Sequence, residues 1–251
     1  NVTPGANLSL ASTTGLIEQT GPGALFANSG TATINSGGSD IALDSAGNQF
    51  NVVNLAGGHI TLVASNGLIV NTLSSGPGQN VFLDAGAGTL LLPATAINAG
   101  SGQITLTSGG GLLLGGALTG SDILLSSSTG LTIGNNITAS GFLNMGSTAG
   151  GVTQSGGTSI VVAGPTTVGA GIAAITLAQP GNNFSTIEAS GGAISLRDQN
   201  GLNLGSINAN TSLDVLANGP VTQSAAVLVS GTTTINAGTG NVTLTTAGNN
   251  L

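Results

Sequence analysis

Ile175-Thr176-Leu177, Ile194-Ser195-Leu196 and Leu213-Asp214-Val215 begin at intervals of nineteen residues. Each triplet sets two large apolar side chains around a small or polar one. Alternate side chains of an extended strand point to opposite sides, so the outer two face one way and the middle one the other. The same pattern returns at Ile41-Ala42-Leu43, Ile60-Thr61-Leu62, Ile104-Thr105-Leu106, Ile123-Leu124-Leu125 and Val242-Thr243-Leu244, and the pairs 41/60 and 104/123 repeat the interval of nineteen. Looser copies stand at Leu8-Ser9-Leu10, Val81-Phe82-Leu83 and Phe142-Leu143-Asn144. A fixed recurrence of one short strand, bounded by Gly, Asn, Ser and Asp, predicts a coiled parallel sheet in which equal positions stack in columns. A sandwich needs frequent turns but no such period. Aligning the copies predicts about eleven turns of 19–33 residues, grouped in threes. They form a single segment, 1–251, with modules of about 67 residues at roughly 8–79, 80–146, 147–212 and, in part, 213–251.

A second motif accompanies the longest turns. Leu16-Ile17-Glu18-Gln19, Gly151-Val152-Thr153-Gln154 and Pro220-Val221-Thr222-Gln223 each follow a third triplet. Further on come Asn48-Gln49-Phe50, Asn182-Asn183-Phe184 and Asn249-Asn250-Leu251. The module at 80–146 lacks the Gln motif. Gly and Asn at the bends tolerate left-handed backbone angles, and stacked Asn side chains can form amide ladders.

Composition narrows the function. The 251 residues include 44 Gly, 8 acids, one Arg, no Lys, one His and no Cys, with a formal charge of −7. One cation cannot neutralise a run of phosphates, so nucleic acid is excluded as a partner. Without Cys there is no disulfide scaffold, thiolate metal site or Cys nucleophile. Mean hydropathy is +0.41, so the chain can bury a core and does not read as disordered. No run approaches 18 apolar residues, so no membrane span is expected. The start, Asn1-Val2-Thr3-Pro4-Gly5, reads as that of a processed or excised segment, and the end at Leu251 as a break in a longer array or a stacking surface between chains.

The run Gly219–Ser224, followed by Val227–Gly238 and Asn241–Leu244, resembles a repeat unit of filamentous-haemagglutinin-like exoproteins. Gly192–Asp198 with Gly201–Gly205 resembles it as well. The resemblance spans nearly the whole chain and is clearest from 147 to 251. It implies a right-handed parallel β-helix and a bacterial surface or secreted protein, exported by two-partner secretion or as an autotransporter passenger.

Candidate chemical groups are sparse. Asp40 and Asp122 each sit in Gly-Ser-Asp-Ile, before a triplet. A glycosidase carboxylate pair stands roughly 5–10 Å apart. Four turns at about 4.8 Å separate these two by roughly 19 Å, so each reads as a turn residue. Asp44, Asp84 and Asp214 are scattered. Glu188, Arg197 and Asp198 form the one close charge group, too thin for a lyase or pectinase site, and Arg197 is expected to pair with a neighbouring carboxylate at the surface. His59 stands alone, without the ligands of a zinc site. No calcium-loop pattern is present. Thr31/Thr33, Thr232/Thr234 and Thr243/Thr245 suggest an ice-binding face, but the triplet's middle position is not uniformly Thr.

These readings lead to an all-β right-handed solenoid with no catalytic, cofactor or metal residues. Its expected role is a non-enzymatic structural or adhesive rod, extracellular or on a bacterial surface. The rod would be a segment of an adhesin or a filament subunit that associates end to end, with surface glycans or proteins as further partners. A carbohydrate-active β-helix enzyme and an ice-binding solenoid are the alternatives.

Overall fold

The computed structural model describes residues 7–21, 23–94 and 96–251. Among them there is no helix, and the named strand pairings are parallel. The chain divides into two compact units that meet in sequence at Ser127/Ser128. Each is a β-solenoid, as the nineteen-residue interval predicts.

In the first unit one column runs Ile17, Ile41, Ile60, Val81, Ile104, Ile123, in steps of 24, 19, 21, 23 and 19 residues. Two positions on, Leu43, Leu62, Leu83 and Leu106 form its inward companion. A second wall stacks Leu8, Ala32, Val53 and Val70, beside Leu10, Ile34, Leu55 and Leu73. A third stacks Leu68, Leu90 and Leu112. Most of these side chains are fully buried. Burial of each Ile or Leu contributes about 1.5–3 kcal/mol. Gly86 shows how tightly coils meet at a bend: its φ is +54°, and a Cβ there would strike the Ala64 carbonyl of the coil before.

In the second unit the corresponding column is Leu131, Val152, Ile175, Ile194, Leu213, Thr233, in steps of 21, 23, 19, 19 and 20 residues. Another face stacks Leu143, Thr166, Ile187, Leu204 and Gln223. Ile175 and Ile194 are direct partners and both point inward.

Three alignments differ from the sequence-based expectation. Leu8-Ser9-Leu10 pairs with Ala32-Thr33-Ile34, and Ile41 pairs instead with Ile17 of the Gln motif. Leu143 pairs with Thr166, while Ile175 rests on Val152. Val242 bridges to Val221, and the residue stacked on Leu213 is Thr233. Each apparently long turn therefore holds an extra strand, and steps along these columns run 19–24 residues rather than 19–33. The cause is simple. An apolar–x–apolar triplet suits every face of the coil, so the triplet marks "inward" without marking which face.

Candidate functional site

The residues the repeat keeps are buried amides. In Val152-Thr153-Gln154 the third residue takes the inward position that Leu fills in Ile175-Thr176-Leu177. Gln154 Nε2 donates to Asn182 Oδ1 at 2.7 Å, and Asn182 Nδ2 returns a bond to Gln154 Oε1 at 2.9 Å. The same Asn182 Oδ1 accepts the Ile160 N–H at 2.9 Å, and Nδ2 donates to the Leu177 carbonyl at 3.0 Å. Asn182 is completely buried.

The arrangement occurs three times. Gln19 and Asn48 exchange bonds of 2.9 and 2.8 Å, with Asn48 also bound to Leu25 N–H and the Leu43 carbonyl. Gln223 and Asn249 exchange bonds of 2.8 and 2.9 Å, with Asn249 bound to Val227 N–H and the Leu244 carbonyl. In every copy Asn follows the triplet's Leu by five residues. It joins the end of one strand to the start of the next and holds the Gln of the coil beneath. Buried polar groups must be paired, and each Asn has both ends of its amide engaged. The sequence displays the Gln and Asn motifs but not their pairing; the signal was Gln at a Leu position with Asn at a constant offset.

A second polar device lines the bend before the triplets of the first unit. Asp40 Oδ1 accepts the His59 N–H, His59 Nδ1 accepts the Asn80 N–H at 2.8 Å, and Asn80 Oδ1 accepts the Gln103 N–H. Each side chain thus caps the backbone of the next coil. His59 acts as an acceptor, which fixes its neutral Nε2–H tautomer in this arrangement.

The charged candidates do not converge. Asp40 and Asp122 lie four coils apart in this column. Asp84 Oδ1 caps Gly86, Asp44 is exposed, and Asp214 faces outward beside Ser195. Arg197 and Asp198, adjacent in one strand, point to opposite sides of the wall. Asp198 is buried and takes the N–H groups of Phe184 and Asn200, both at 2.7 Å, while Arg197 Nε is buried without a partner. The expected Arg197 surface pair is thus replaced by an inward carboxylate. Burial pushes the Asp198 carboxyl above its usual range, opposed by its two backbone donors. Glu188 lies on another strand, against Thr167 and Gly205. Among the described residues no three His, Cys, Asp or Glu side chains group as metal ligands, and no helix is long and apolar enough to cross a membrane.

Thr and Ser form columns that the sequence alignment obscured. In the second unit Thr132, Thr153, Thr176 and Ser195 stack in order, followed by Asp214 and Thr234. In the first, Thr33, Asn54 and Thr72 are linked through Asn54, which also accepts from Asn71.

Fold and repeated amide pairs define a β-solenoid repeat protein. The chain belongs to the family described as repeats of unknown function (DUF5649), whose model matches residues 1–56, 120–189 and 191–251. Each matched stretch holds one Gln–Asn pair: 19/48, 154/182 and 223/249. No curated protein and no solved structure matches the chain.

Proposed function

We propose that this chain is a non-enzymatic structural and adhesive solenoid, part of an extracellular or bacterial-surface rod of the filamentous-haemagglutinin-like kind. The observation that carries the reading is the use of the repeated polar residues. Gln154 and Asn182, with their two counterparts, spend their hydrogen-bonding capacity on the wall itself. A repeat selected for a reaction would hold its recurring polar groups toward a substrate; this one holds them toward its own backbone.

The adhesive half of the reading draws on a neutral groove of about 330 Å³ in the first unit, lined by Asn28, Asn51, Asn66 and Thr89 around half-exposed Ile69. Amides and a hydroxyl beside an apolar wall suit the hydroxyls and ring face of an uncharged saccharide. Labelling intact source cells with antibody to this chain, with electron microscopy of the labelled structures, tests the reading. Surface stalks or fibres support it; label confined to the cell interior, or polysaccharide cleavage by the purified chain, refutes it. The Thr132–Ser195 hydroxyl column favours one second reading, an ice-binding face, for which thermal hysteresis is the deciding measurement.

A further inference from the structure

Each unit carries one open coil edge, and the two edges fit each other. In the first unit the strands Leu8–Ala11 and Ile17–Glu18 have the next coil on one side and no strand on the other among the described residues. An open groove of about 600 Å³, walled by Leu10, Leu16, Ile17, Gln19 and Leu43, marks that side. In the second unit Thr232–Asn236 and the bridge at Val242 close the coil on one side only. Leu16, Val242 and Leu251 are 52%, 47% and 53% exposed at these edges.

The spacings match. Leu8 precedes Ile17 by nine residues, and Thr233 precedes Val242 by nine, so both strand pairs can stack together. The same nine-on-nine match occurs inside the chain, where Leu143 and Val152 carry Thr166 and Ile175. Side-chain order matches too. A Gln-motif triplet rests on an apolar–x–apolar triplet at Leu131–Ile133 beneath Val152–Gln154 and at Leu202–Leu204 beneath Val221–Gln223. Val242-Thr243-Leu244 beneath Ile17-Glu18-Gln19 obeys the same rule.

The backbone is turned correctly as well. A parallel strand residue sends its N–H and C=O to one neighbour. Ile17 and Gln19 donate to Asp40 and Ala42, which leaves Glu18 facing the open side. Thr243 donates to Val221, which leaves Val242 and Leu244 facing theirs. Charge does not oppose the contact: residues 232–251 carry no charged side chain, and the facing coil contributes only Glu18.

We propose that a second copy of this chain covers the edge. The last coil of one copy stacks on the first coil of the next, in the register Thr233↔Leu8, Ile235↔Leu10, Val242↔Ile17 and Leu244↔Gln19. The Glu18 N–H donates to the Val242 carbonyl, and the Leu244 N–H to the Glu18 carbonyl. The contact is head-to-tail, so it adds copies without using up either edge. It rests on the structural role proposed above and supplies that role with a specific junction.

The absence of Cys makes the test clean. Glu18→Cys is mixed with Thr243→Cys, and separately with Thr245→Cys, under mild oxidation, with circular dichroism confirming that each variant folds. Paired neighbours lie within disulfide reach and a two-residue offset does not, so the 18/243 mixture should give about tenfold more crosslinked dimer than the 18/245 mixture. Equal yields, or no dimer in either, overturn the junction. That result would leave the surface-rod reading standing, since cell labelling tests it independently.

Discussion

Replacing Asn182 with Ala removes a side chain that serves four bonds at once. It strands the Ile160 N–H, the Leu177 carbonyl and both ends of the Gln154 amide in a site from which Asn182 itself is fully excluded from solvent. A buried group left unpaired costs about 1–3 kcal/mol, so partial relaxation of these four leaves an expected loss of about 4–6 kcal/mol. Gln154→Leu should cost much less, about 1–2 kcal/mol, because Leu is what other coils carry there and Asn182 keeps its bonds to Ile160 and Leu177. With Gln154 already Leu, the change at Asn182 strands two groups fewer, so the double variant should recover about 1–3 kcal/mol relative to the sum of the single changes. Solenoids unfold in sections, so the assay of choice is amide hydrogen exchange at Ile160, supported by denaturant unfolding. Unchanged exchange at Ile160 in Asn182→Ala, or a loss below about 1 kcal/mol, would refute the argument that the amide pair braces the wall.

Other consequences can be measured with the same tools. The raised Asp198 carboxyl binds its proton more tightly folded than unfolded, so its contribution is fully present below the ordinary carboxylate range and is lost as pH rises through the elevated folded value; melting temperature should fall across that window, and the slope should flatten in Asp198→Asn. Thr166 lies buried in an apolar column between Leu143 and Ile187 with its hydroxyl unpaired, so Thr166→Val should raise stability by about 1 kcal/mol in denaturant titration. A Cβ at Gly150 would run into the Thr129 carbonyl of the neighbouring coil, whereas one at Gly169 meets nothing; Gly150→Ala should lower stability by about 2–3 kcal/mol and Gly169→Ala should leave it within about 1 kcal/mol.

The architecture was legible in the triplets because burial imposes a two-residue alternation, and Ile175, Ile194 and Leu213 stack at the interval read from the sequence. The face assigned to each triplet was not legible. Three coils from Ile175 end at Thr233, nine residues short of Val242, and those nine residues carry the next triplet to another face. Counting triplets alone hides such a step, since Ile-x-Leu is equally at home on every wall. Asp198 illustrates a signal present but outweighed: alternation from Ile194 through Leu196 points it inward, yet its neighbour Arg197 suggested a surface ion pair. The Gln–Asn pairs lie 26 to 29 residues apart, and nothing local ties one motif to the other.

Within the second unit the two amide pairs stand on different faces: Gln154 belongs to the column of Ile133, and Gln223 to that of Leu204. Pulling the wall open along either side would release one brace and leave the other fastened. Masons stagger their joints for the same reason, because a crack that finds no straight line through the courses stops where it began.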